Sequence, residues 1–207
     1  MESFEIKKLD RDHTIYINLE SLLKLRGKTV VGGGFDGKEA YPLDEIEFSK
    51  RVKSQKYMVL RATSGESHDL TVIIITTGSD FYKKDKLAGL LAKVSTNVMI
   101  VKPSKNKIKI NSRATVEQVI DGDTYLITDW YAINNEKHRK VRVIKPSEWR
   151  DGVIHNNMYV EINELPAISH LAQEAVWYGA AVGDVVEIVS PSLSSNGYTT
   201  SAYRVVC

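Results

Sequence analysis

The chain is short of cysteine, of long apolar runs and of any excess of one charge. Its single cysteine, Cys207, is the last of 207 residues, so no internal disulfide can close and no cysteine-built metal cage can form. That usage fits a reducing compartment. Lys and Arg number 28 against 26 Asp and Glu, a net charge of +2 that argues against a protein coating nucleic acid by itself, local basic patches aside. No stretch of about 18 apolar residues is present to span a bilayer, and the opening "MESFEIKKLDRDH" lacks the apolar core of a signal peptide. A soluble intracellular protein is expected. The five histidines, His13, His68, His138, His155 and His170, form no i, i+4 pair and no H-E-x-x-H, so neither a metal site nor a cofactor is expected. There is no internal repeat and no long low-complexity tract.

What is present reads as mixed α and β structure. Leu19, Leu22 and Leu23 mark a helix over 18–26 stopped by Gly27, and a second helix is expected to begin at Pro42. Residues 57–62 and 70–76 read as two strands joined by the turn-rich "TSGESHD". The second of them, "LTVIIITT", is apolar on both faces and predicts a central strand covered on both sides. Asp80 is a candidate cap for a helix carrying Leu87, Leu90, Leu91 and Val94 inward, and "NVMIV" at 97–101 follows as a strand parallel to its predecessor. Further on, residues 141–144 alternate, 145–149 read as a helix entry, and the chain closes with a helix stopped at Gly179, a turn at Gly183 and strands over 185–189 and 202–206. The fold class expected is α+β or α/β. Residues 1–134 form an α/β domain with a mixed sheet, and residues 135–207 a smaller α+β domain.

Three stretches invite an enzymatic reading. Gly32 and the pair Gly37-Lys38 stand at phosphate-loop spacing, but Glu39 occupies the hydroxyl position and Pro42 blocks the helix that must follow at once. A Gly-rich connection between two helices explains them better. Ser67, His68 and Asp69 are adjacent, and adjacent residues on an extended chain point to opposite faces, so they suit a polar turn rather than a hydrolase triad. Asp121 and Asp123 in "DGDTY" suggest a cation site or a turn, and Asp69 opens a strand of Val and Ile where further metal ligands would be needed. No catalytic residue is assigned. The basic run 102–113 places Lys102, Lys105, Lys107 and Lys109 together, either as a solvated loop and a lysine-protected edge strand or as a phosphate-facing patch.

The C-terminal residues "LPAI" (Leu165, Pro166, Ala167, Ile168), Tyr178-Gly179, "GDVVEI" from Gly183 through Val185 and Val186 to Ile188, Pro191-Ser192, Gly197 and "YRVV" from Tyr203 and Arg204 resemble a known family. In order and spacing they are similar to the assembly domain of the fifth subunit of eukaryotic RNA polymerases, whose archaeal counterpart is a small polymerase subunit corresponding to that domain alone. Upstream, "LRG", Glu117-Gln118 with the acidic stretch after it, and "EKH" ending at His138 extend the likeness over nearly the whole chain. Four positions depart from the family pattern. Ala172-Gln173 stands for its Asp-Pro, and Val176 and Ser190 each replace an arginine. The chain therefore resembles a diverged copy, serving one polymerase or encoded by a large DNA virus.

The resemblance implies a non-catalytic subunit of a DNA-directed RNA polymerase, acting in transcription from the nucleus, or from the nucleolus, viral particle or cytoplasm according to the polymerase served. Residues 139–207 would dock on the largest subunit through the positions from Leu165 to Arg204 named above, Ala167 aside, beside neighbouring subunits. The N-terminal domain would be a jaw near downstream double-stranded DNA, meeting its backbone without sequence preference through Lys102, Lys105, Lys107 and Lys109. Physically, Gly179 and Gly183 suit a helix end and a turn, Pro191 ends a strand, and Val185, Val186, Ile188, Val205 and Val206 need burial, partly in their own core and partly against a partner. The alternative is a free-standing nucleotide- or DNA-binding α/β protein.

Overall fold

The computed structural model describes residues 11–35, 38–39, 57–65, 69–75, 84–94, 96–103, 115–127, 140–151, 160–191 and 199–207. It has an α+β fold built on two mixed sheets. The chain divides into two compact units, Met1–Thr128 and Asp129–Cys207. The boundary expected at 134/135 lies outside the described residues, as do the expected helix at Pro42 and the expected cap Asp80.

In the first unit, α1 (Arg11–Leu25) is followed by β1 (Thr29–Phe35), β2 (Lys38–Glu39), β3 (Tyr57–Thr63), β4 (Leu70–Ile75), α2 (Lys84–Leu91), β5 (Asn97–Lys102), β6 (Val116–Asp121) and a single turn of helix, α3 (Gly122–Tyr125). The sheet order is β2-β1-β3-β4-β5-β6, antiparallel from β2 to β4 and parallel from β4 to β6. All six residues of β4 are buried, as its unbroken apolar run requires of a strand covered twice. Ile73, Ile75, Val98 and Ile100 meet Leu87 and Leu91 of α2 on one face. On the other lies α1, since a side chain at Gly122 would touch both Ile15 and Val101. Leu19, Leu22 and Leu23 of α1 are fully buried. This helix begins seven residues before the expected start at Asn18. Asp12, His13 and Asn18 interrupt its apolar pattern yet are themselves buried, Asn18 donating to the Leu126 carbonyl at 2.8 Å.

The glycine run corrects the sequence reading. Gly32, Gly33 and Gly34 do not link two helices; they lie within β1, paired with Arg61, Leu60 and Val59 of β3, and Lys38 lies in β2 opposite Phe35. The ladder engages this backbone, whereas a phosphate loop must leave successive amides free and curled around an anion. A Cβ on Gly33 would stand 2.6 Å from Leu60 Cδ2 and 2.7 Å from the Val59 carbonyl, so close strand packing explains that glycine. The extra residue Val31 bulges outward between Val30 and Gly32.

The second unit runs β7 (Lys140–Ile144), α4 (Pro146–Asp151), a 3₁₀ turn (Ile162–Glu164), β8 (Ala167–Ile168), α5 (Gln173–Tyr178), β9 (Val185–Pro191) and β10 (Thr199–Val206). Its sheet order is β7-β9-β10-β8, with β8 parallel to the end of β10 and the other pairs antiparallel. Trp149 of α4 packs edge-on to Tyr203, with ring centroids 5.5 Å apart, over Ile144 and Val185. Ala175 of α5 packs on Val186 and Val206 on the opposite face.

Candidate partner surface of the C-terminal unit

Two positive-φ glycines shape the C-terminal unit. Gly179, at φ 67°, ends α5, and its N–H and that of Ala180 return to carbonyls of the last turn. Gly183, at φ 92°, turns the chain into β9 and donates to the Val206 carbonyl at 2.9 Å. Asp184, buried beside it, accepts from the Ala181 N–H at 2.9 Å and from Lys145 Nζ at 2.7 Å. The "LPAI" stretch then meets the chain's last strand. The Val205 N–H donates to the Pro166 carbonyl at 3.0 Å and the Cys207 N–H to that of Ile168 at 2.9 Å.

Register sorts the expected assembly residues into three groups. Val185, Val186 and Tyr203 are buried within their own unit, so their side chains are framework rather than partner surface. Leu165 and Tyr178 are half-buried, Leu165 against the Ile144 and Trp149 cluster. Pro166, Pro191 and Arg204 are exposed, and Ile168 and Ile188 half-exposed. Ser192 and Gly197 lie outside the described residues. Of the five apolar strand positions, Val206 joins Val185 and Val186 inside, while Ile188 and Val205 retain partial exposure.

Tyr203 and Glu187 form a buried polar pair. The phenol donates to Glu187 Oε1 at 2.9 Å. Burial first, and then this bond to a carboxylate, push the phenol's pKa up.

Beside this core an open groove of about 480 Å³ runs between the start of α5 and one face of the sheet. Ile188 and Ser190 of β9 face it together with their partners Ala202 and Thr200 on β10, joined by Arg204, Ile168, Ala172 and Glu174. Sequence reasoning found Ile168, Ile188 and Arg204 but missed Glu174, Thr200, Ser201 and Ala202. Only the β9–β10 register reveals the strand residues among those, by pairing Ser190 with Thr200 and Ile188 with Ala202. Two of the four departures from the family pattern, Ala172 and Ser190, line this same groove, whereas Val176 is a buried residue of α5.

Of the four lysines expected near DNA, only Lys102 is described. Its ammonium lies 3.7 Å from Asp121 and 3.5 Å from the Pro103 carbonyl, with the side chain 17% exposed, so it is committed within its own unit. Lys105, Lys107 and Lys109 lie outside the described residues, as do Ser67 and His68. Asp69 accepts from Ser64 at 2.6 Å and from Lys28 at 3.0 Å, which holds its carboxyl below the usual range. Asp121 caps α3 through the Thr124 N–H and so belongs to a turn, while Asp123 pairs with Arg11. Among the described residues no three His, Cys, Asp or Glu gather as a metal site, and no helix is long and apolar enough to cross a membrane. Compared with known proteins, the chain matches no family model and no curated protein.

Proposed function

We propose that the chain is a non-catalytic subunit of a eukaryotic-type DNA-directed RNA polymerase in the nucleus. Its C-terminal unit docks on the largest subunit, and its N-terminal unit forms a jaw beside downstream DNA. The reading starts from the resemblance in sequence. The observation that best supports it is the way the resembling pieces come together. "LPAI" and "YRVV", separated by 34 residues in the chain, pair in parallel, with Val205 opposite Ala167 and Val206 opposite Ile168. The Tyr178-Gly179 and Gly183 positions supply the helix stop and the turn between them. Residues retained at those spacings are therefore retained in one structural unit, which leaves its exposed groove for a partner.

On this reading phosphodiester chemistry belongs to the large subunits, and the jaw meets DNA without reading bases, as transcription of every sequence demands. With Lys102 occupied by Asp121, DNA contact falls to other cations of the jaw or to its neighbours in the assembly. The glycine run, being a strand, supports no nucleotide-binding alternative.

The test is affinity purification of the tagged chain from its native cells at about 0.3 M salt, where purely electrostatic contacts weaken. Stoichiometric recovery of large polymerase subunits is expected, and the large subunit recovered names the polymerase. Recovery of the chain alone overturns the reading.

A further inference from the structure

Strand β10 is hydrogen-bonded along its whole length on one side only. On that side β9 pairs with it from Thr199 to Val205 without a register break. On the other, β8 covers only Val205 and Val206. The Val205 and Cys207 N–H groups point to β8, whereas that of Val206 points to Asp184, so odd-numbered residues turn their backbone groups away from β9. By alternation Ser201 and Tyr203 present N–H and C=O groups along the same edge, beyond the end of β8. Residues 199–202 and Arg204 are exposed to solvent, the buried Tyr203 packs its side chain against Trp149, and no described strand other than β8 pairs with this edge.

Natural sheets protect such edges with lysine, proline, inward charges or bulges. From Thr199 to Tyr203 β10 has none of these. Water can satisfy these groups singly, whereas an extended backbone matches the whole row of alternating donors and acceptors at once. The groove adjoins the edge on the face carrying Thr200, Ala202 and Arg204. Arg204 and Glu174 make no ion pair among the described residues, so the groove offers a partner one cation and one anion.

We propose that the β10 edge from Thr199 to Tyr203 is a strand-addition site for an extended segment of another polypeptide. The segment continues the row begun by β8, bonds to the backbone of Ser201 and Tyr203, and places an acidic side chain against Arg204. Small residues on the groove floor, Ala202, Ser190 and Ala172, leave room for that side chain. Glu174 disfavours a second acid beside it. The occupant is defined by its chemistry, so this proposal stands or falls on its own test, whatever the purification above recovers.

The probe is a phage-displayed library of random peptides about twelve residues long, long enough to span one strand with flanks, selected on the immobilised full-length chain. Enriched peptides are then synthesised, and amide exchange at Ser201 and Tyr203 is followed by NMR. Enrichment of acid-bearing, strand-forming peptides is expected, with exchange at both amides slowed by about tenfold or more. Ser201→Pro removes an N–H that has no acceptor among the described residues and is expected to weaken binding by about tenfold or more. Arg204→Glu, at an exposed site that leaves the core intact, is expected to shift the selection from acidic to basic peptides. Failure to enrich any peptide, enriched peptides that leave both amides exchanging freely, or an Arg204→Glu chain selecting the same peptides overturns the proposal. So does a dimer of the chain alone that Ser201→Pro disperses, because the edge would then belong to a second copy.

Discussion

Gly33 and Gly32 are neighbours with opposite tolerances. A methyl group on Gly33 meets Leu60 and the Val59 carbonyl at distances no real Cβ sustains, whereas one on Gly32 meets nothing within 4 Å. Gly33→Ala is expected to cost about 1–3 kcal/mol, the usual penalty for overpacking. Gly32→Ala is expected to stay within about 0.5 kcal/mol of neutral, as surface substitutions do. Urea unfolding of the two variants checks this, and equal losses would contradict the strand packing described for β1. A second prediction at this scale concerns Tyr203. Its folded pKa is raised, so the protonated phenol is the form the fold prefers. Its contribution is complete below the unfolded value near 10 and is lost as pH rises through the folded value. Unfolding free energy should therefore decline in strongly alkaline solution, and Tyr203→Phe should remove that part of the decline. At neutral pH the same substitution strips Glu187 of its buried donor, at a cost of about 1–3 kcal/mol.

At the scale of elements, α5 begins on a residue that cannot cap it. Ala172 has the extended backbone of an N-cap, φ −66° and ψ 148°, but makes no side-chain bond to the helix. The resembling family has aspartate there. Ala172→Asp is expected to stabilise the C-terminal unit by about 0.5–2 kcal/mol, measured as a higher urea midpoint with unchanged slope. How far such elements could be read from sequence depended on how much side-chain pattern they carry. β4, α2 and β5 were visible because their apolar residues repeat at the strand or helix period. β1 was hidden because three consecutive glycines carry no pattern, and its strand is specified by β3 packing against it. The first turns of α1 were hidden by Asp12 and His13, buried polar residues where the period demands apolar ones. In the candidate site, Arg204, Ile168 and Ile188 were implied by the resemblance of "LPAI", "GDVVEI" and "YRVV" to the polymerase-subunit family. The groove they share was not, because it joins small residues from β9, β10 and the start of α5 that only register and helix placement bring together.

For the whole molecule, the two units have separate cores: Ile73, Leu87, Leu91 and Ile100 in one, and Ile144, Trp149, Val185 and Tyr203 in a cluster of the other. All three tryptophans, Trp130, Trp149 and Trp177, fall within Asp129–Cys207, and Trp149 and Trp177 are buried there, so tryptophan fluorescence follows the unfolding of that unit. Leu91→Ala and Ile144→Ala each remove a buried aliphatic side chain and should each cost about 2–5 kcal/mol in the unit that holds it. If each core stabilises its own unit, Leu91→Ala lowers the unfolding midpoint seen by amide exchange in β4 and β5 and leaves the tryptophan transition in place. Ile144→Ala does the reverse, and the double variant adds the two losses within about 0.5 kcal/mol. A tryptophan transition displaced by Leu91→Ala would instead show that the units unfold as one block. Under the proposed function, the independent outcome suits a subunit whose C-terminal unit holds the assembly, since damage to the core around Leu91 would then leave the C-terminal unit folded.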